Sequence, residues 1–112
     1  MAKLKPANIL LEKHLRELGL RFHAEHQFAK PRKWRFDYVL EDKFSPWIAI
    51  EIEGGIYTQG RHTRGKGYEA DLEKYNVAQA NGWTVYRFST GMVLRGEAKA
   101  FLAEWLGREG GR

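Results

Sequence analysis

The chain has no cysteine in its 112 residues. Disulfides and thiolate zinc sites are therefore excluded, and a cytoplasmic location is the expectation. No apolar run approaches membrane-spanning length, so no membrane role is expected. The N-terminal stretch MAKLKPANILLEKHL lacks the unbroken apolar core of a secretory signal. Internal repeats and low-complexity tracts are also missing. Neither a GxxxxGK[ST] phosphate loop nor a dinucleotide fingerprint is present, and no small organic cofactor is expected.

What is present describes one globular domain, residues 1–112. Hydrophobic residues make up 43% and aromatic residues 13%, too much apolar matter for a disordered chain. The length closes one modest core and not two. A net charge of +5 suits an anionic partner such as nucleic acid.

Residues 7–18 place Ile9, Leu10, Leu15 and Leu18 at helical spacing, with Leu11 beside them. The spacing predicts an amphipathic helix entered after Pro6 and stopped at Gly19. FHAEHQFA (22–29) alternates as a strand does. Phe22, Ala24, His26 and Phe28 are expected on one face, and His23, Glu25 and Gln27 on the other. That parity separates His23 from His26 and argues against a shared metal. WRFDYVL (34–40) alternates again, with Trp34, Phe36, Tyr38 and Leu40 opposite Arg35, Asp37 and Val39. EDKFSP reads as a hairpin loop. WIAIEIE (47–53) is the third strand.

GGIYTQGRHTRGKG (54–67) is too rich in glycine for regular structure. YEADLEKYNVAQANG (68–82) predicts a second helix, with Tyr68, Leu72, Tyr75 and Gln79 along one side and Gly82 as its stop. WTVYRF (83–88) is apolar at both parities, which predicts a central strand buried on both faces. Residues 95–106 predict a last helix turning Ala98, Phe101, Leu102, Trp105 and Leu106 inward. The tail, 107–112, is expected to fray. The order α-β-β-β-α-β-α implies an α/β domain, a small mixed sheet flanked by helices.

The acids carry the functional signal. Glu51 and Glu53 are two residues apart on a strand, so they share a face. Asp37 lies on the polar face of the preceding strand. If these strands pair as a hairpin, three carboxylates converge at one end of the sheet. Like charges raise each other's pKa and cost stability. A hard divalent cation relieves that cost, and Mg²⁺ favours carboxylate oxygens and water.

RFDYVL, then IAIEIEGG, then a helix and WTVYRF, resembles the PD-(D/E)XK nuclease superfamily. Within it the chain looks most like the small endonucleases related to very-short-patch repair enzymes. The resemblance spans residues 7–90 and implies a restriction-endonuclease-like core. It implies Mg²⁺-dependent hydrolysis of DNA phosphodiester bonds in repair or recombination, with Mn²⁺ as a substitute. It makes Asp37 and Glu51 the metal ligands, together with the Ile52 carbonyl. Glu53 stands where the superfamily usually has lysine, and is a further metal ligand or proton acceptor. Lys74 on the second helix is a candidate for the displaced lysine. The bland alternative pairs it with Asp71 on the same helix. Glu12 is a candidate extra acid, about one turn from Asn8, where the related enzymes place theirs.

The glycine-rich loop brings Arg61, His62, Arg64 and Lys66 to the DNA backbone in this reading. Glu25 and Gln27 are further candidates to reach the acids from the first strand. Trp47 shares the parity of Glu51, at the far end of the strand, and is expected under the first helix. Two alternatives stay open. One is a nucleic-acid-binding module with a decayed nuclease site. The other is a homodimeric Holliday-junction-type resolvase acting on branched DNA.

Overall fold

The computed structural model describes residues 5–41, 47–54 and 66–109. They form α1 (Pro6–Glu17), β1 (Phe22–Gln27), β2 (Arg35–Leu40), β3 (Trp47–Glu53), α2 (Lys66–Ala80), β4 (Trp83–Ser89), α3 (Thr90–Leu94) and α4 (Glu97–Glu109). The chain is a mixed α/β domain with a four-stranded sheet in the order β1-β2-β3-β4. β1, β2 and β3 run antiparallel in turn, while β4 lies parallel to β3. The expected hairpin pairing of β2 with β3 is present. Its loop, 42–46, lies outside the described residues.

Helices cover both faces. On one, α1, α3 and α4 pack Leu11, Leu15, Val93, Leu102 and Trp105 onto Tyr38, Leu40, Ile48, Ile50 and Phe88. On the other, Ala78 of α2 joins Phe36, Val39, Ala49 and Trp83. Burying these side chains is worth roughly 1.5–3 kcal/mol each for the larger ones.

Several expectations are corrected. The buried stripe of α1 is Ala7, Leu11 and Leu15, one helical turn apart, and Ile9 is 56% exposed. α2 turns Tyr68 and Leu72 to solvent. β4 is an edge strand among the described residues; its apolar residues at both parities reflect helices on both sides rather than strands. The last helix is two helices. Ser89 caps α3 by accepting the Met92 N–H at 3.1 Å, and α4 continues through Glu109. Phe101 is half-exposed, although its ring meets Tyr86 and Phe88.

Glycine closes the first two helices where expected, with positive φ at Gly19 and Gly82. Gly54 answers a different need. A Cβ there would stand 3.0 Å from the Thr90 hydroxyl, so β3 ends against the start of α3.

The sheet also switches faces part-way. In the β1–β2 ladder Ala24 pairs with Tyr38 and His26 with Phe36. Between them Glu25, opposite Asp37, has a φ of 58°, in the left-handed region. Tyr38 and Leu40 face α1, yet Phe36 packs with Val39 on the α2 face. His26 follows Phe36 and meets Trp83 at 5.6 Å between ring centroids. His23 and His26 therefore line one hollow, against the strict alternation expected of β1.

Candidate functional site

The register that sets Tyr38 against Ile50 and Val39 against Ala49 brings Asp37 opposite Glu51. There the two carboxylates replace ladder bonds. The Asp37 N–H donates to Glu51 Oε2 at 2.9 Å. The Ile52 N–H donates to Asp37 Oδ2 at 2.8 Å. Each acid thus holds the opposite strand and keeps a second oxygen for other work.

Glu51 is the buried charged residue of the described chain, at 6% exposure. α2 supplies its counter-charge: Lys74 Nζ lies 3.0 Å from Glu51 Oε1. The Tyr75 hydroxyl donates to the same oxygen. Tyr75 also reaches Glu53 Oε2, at 3.4 Å. Burial, then the bond to Glu51, pushes the Tyr75 phenol far up, so it stays a neutral donor. Glu53 is gripped by Arg87 through two nitrogens, with Nη2 at 2.9 Å from Oε1. The Arg87 guanidinium lies 4.2 Å over the Tyr75 ring. The bond to Glu53 raises the Arg87 pKa further, so the cation is permanent.

Asp37 titrates high for an aspartate. Burial is the main cause, and the nearby Glu51 charge adds to it, while the Ile52 N–H pulls the other way. Glu25 raises it as well, so the first strand does bring a charge toward the site, though its side chain is 69% exposed and pairs with Arg35 at 3.8 Å. Gln27 does not come in; it donates to the Arg32 carbonyl at 2.7 Å.

The sequence-selected residues therefore divide. Asp37, Glu51 and Lys74 come together. Lys74 reaches across to β3 rather than pairing along its own helix with Asp71. Glu53 adjoins them through Tyr75, and its carboxylate is paired with Arg87. Among the described residues no group of three or more His, Asp or Glu side chains converges as a metal cage. The expected three-carboxylate cluster is thus a pair. Glu12 belongs to another cluster: it accepts the Tyr38 hydroxyl at 2.7 Å, which in turn accepts from Asn8 Nδ2 at 3.1 Å. Arg61, His62 and Arg64 lie outside the described residues. Lys66 opens α2, and its side chain is outside them too.

The sequence gives Tyr75 only a place on a helix face, and neither it nor Arg87 a role in the site. Arg87 is the lone charge in WTVYRF, and the parallel register places it beside Glu51. Only the neighbourhood of β3 and β4 gives that charge a partner.

Neither a protein-family model, nor a curated protein, nor a solved structure matches this chain.

The donor set is compatible with a hard cation. Two carboxylates and a strand carbonyl are oxygen ligands, and Mg²⁺ is often held by one or two carboxylates with water completing its shell. The elevated pKa of Asp37 marks a place where added positive charge is favourable.

Proposed function

We propose that the protein is a metal-dependent DNA endonuclease with a restriction-endonuclease-like core. The observation that carries this reading is the pairing of half-buried Asp37 with buried Glu51, with Lys74 against Glu51. A strand carboxylate pair, held rigid by backbone N–H groups and joined by a lysine from the crossover helix, is costly to bury for packing alone. The helix, three antiparallel strands, helix and parallel strand fit the order that the resemblance implies.

Asp37, Glu51 and the Ile52 carbonyl are the groups that would hold Mg²⁺, or Mn²⁺ in its place. Bound there, the ion supplies a more acidic water and neutralises phosphate charge. Hydrolysis forms a bond from water oxygen to phosphorus as the bond to the leaving oxygen breaks in line. Lys74 has the role of the superfamily's lysine, reached from α2 rather than from β3. Its ammonium offsets the negative charge that grows on the phosphate oxygens. Glu53 is committed to Arg87 and serves as a positioning residue for Arg87 and Tyr75. The basic residues Arg61, His62, Arg64 and Lys66 of the sequence and the net charge of +5 favour a DNA backbone as the partner.

The test is cleavage of labelled single-stranded, duplex and four-way-junction DNA in Mg²⁺, Mn²⁺ or EDTA. Wild type is run beside Asp37→Asn and Lys74→Met, each checked for folding. Metal-dependent cutting lost in both variants supports the nuclease. A junction preference together with a dimer would assign it to the resolvases. Salt-dependent binding without cutting supports the second reading, a decayed binding module. That reading is favoured by one observation, the pairing of Glu51 with Lys74 and Glu53 with Arg87, which leaves two acids already neutralised.

A further inference from the structure

Trp47 opens β3 with half of its surface, 52%, exposed. It lies on the α2 face of the sheet, its ring tilted against that of Trp83 at 5.1 Å between centroids, and not under α1 as its sequence position suggests. Two hollows share these two tryptophans. One, about 460 Å³, is lined by His23, His26 and Glu41. The other, about 560 Å³, is lined by Phe28, Lys30, Arg32 and Trp34. Each is large enough for a planar heterocycle with its sugar.

The rings behind Trp47 make it a rigid platform. Trp83 is itself braced by Phe36, at 5.0 Å, and Phe36 by Phe28, stacked at 4.0 Å. An exposed tryptophan held this firmly pays little side-chain entropy when a second ring stacks on it. The rim is cationic. Lys30 lines the second hollow and is exposed, Lys33 is exposed three residues further along the same KPRKWR link, and neither has an acidic partner among the described residues. Arg32 lies 4.3 Å over the Trp34 ring and is paired with Glu73 at 2.7 Å. The one acid of the first hollow, Glu41, is shared by Arg21 and His23, each at 3.3 Å.

We propose that this surface binds single-stranded nucleic acid, with an unstacked base on Trp47 and the adjoining phosphates on Lys30 and Lys33. The charge complementarity sets the class of ligand: cations without an acidic partner among the described residues, beside an exposed aromatic platform, fit a polyanion that carries planar rings. His23 and His26 offer imidazole edges to the base, and they share a wall only because the sheet switches faces at Glu25. The site lies on the same sheet face as Glu51, four residues along β3, or about 13 Å at strand rise. It rests on the nucleic-acid reading of the protein for its ligand and is separate from the acids that would do chemistry.

The test is binding of a fluorescent oligothymidylate to the intact protein in EDTA, alongside a duplex of the same length. Wild type, Trp47→Ala, Trp47→Phe and the double variant Lys30→Glu/Lys33→Glu are compared, with thermal melts to confirm folding. Trp47→Ala should bind the single strand about tenfold more weakly, Trp47→Phe should retain most of the affinity, and duplex binding should change less. The lysine variant should weaken binding and flatten its salt dependence. Oligothymidylate should quench tryptophan fluorescence in wild type more than in Trp47→Phe. Unchanged single-strand affinity in folded Trp47→Ala overturns the site, even if the protein cuts DNA. Tryptophan-dependent binding with no cleavage keeps the site and removes the nuclease. Equal losses on single strand and duplex also overturn it, because they point to a general backbone contact.

Discussion

Asp37 and Glu51 each accept the backbone N–H of the other's strand, at 2.9 Å from Asp37 N to Glu51 Oε2 and 2.8 Å from Ile52 N to Asp37 Oδ2. The pair therefore has a structural duty whatever its chemistry. It replaces ladder bonds where β2 and β3 would otherwise leave polar groups unpaired. Loss of activity on substitution has to be separated from loss of fold.

Glu51 is the more demanding of the two. Glu51→Ala removes an acceptor from the Asp37 N–H, from Tyr75 and from a Lys74 ammonium only 15% exposed. We expect a loss of about 3 kcal/mol, mostly the cost of a buried charge left alone. Urea melts of Glu51→Ala, with Glu51→Ala/Lys74→Met beside it, check this. The double variant should recover part of the loss, and equal stability of the two would contradict the buried-pair account.

Asp37 is expected to behave in the opposite way. Its pKa lies above the usual 3.8 because burial, and then Glu51, disfavour the charged form. A raised carboxyl binds its proton more tightly in the folded chain. Stability from this group is present at acid pH and falls as pH rises from about 3.8 through the folded value. Asp37→Asn, which keeps an oxygen for the Ile52 N–H, should thus melt a few degrees higher than wild type at neutral pH. The difference should vanish in acid. Mg²⁺ or Mn²⁺ should raise the melting temperature of wild type and leave Asp37→Asn unmoved.

Lys74 separates chemistry from binding. Lys74→Met should lower the cleavage rate by about 10²–10³, the usual effect of losing one charge-stabilising donor. DNA affinity should change little, because one phosphate contact among many is removed. Single-turnover rates beside filter binding measure both. An equal fall in affinity and rate would make Lys74 a backbone contact.

Glu25 tests the face switch. Valine is a better strand former than glutamate, so ordinary β-propensity favours Glu25→Val. At a φ of 58° a β-branched side chain is strained, and we expect a loss of about 1–2 kcal/mol instead. Glu25→Gly should be tolerated. Denaturant midpoints of the two variants settle the sign.

The alternation of WRFDYVL shows how far sequence patterning carries. It announces a half-buried strand correctly and assigns Asp37 to its polar side. It then places Phe36 with Tyr38, and the structure puts them on opposite faces. Period-two reasoning assumes an unbroken ladder, and the ladder breaks at Glu25 and Asp37. The same break reunites His23 with His26. In α2 the sequence marks Tyr68, Leu72, Tyr75 and Gln79 as one side, whereas the packed side is Ala78 with Lys74, Tyr75 and Val77 half-covered, so only Tyr75 is shared. A lysine is not read as part of a buried face when the acid it satisfies lies on a strand.

The sequence by itself determined the four strands, the first two helices, their order and the acids. Strand composition, helix-stopping glycines and the two-residue spacing of Glu51 and Glu53 are local properties, set by backbone geometry within a few residues. Tertiary structure decided which charges meet. Lys74 reaches Glu51 across 23 positions, and Arg87 reaches Glu53 across 34. Those pairings follow from β3 lying beside β4 and from α2 packing over them. They form because a buried carboxylate needs a counter-charge, and the chain can supply it only from segments that folding brings near.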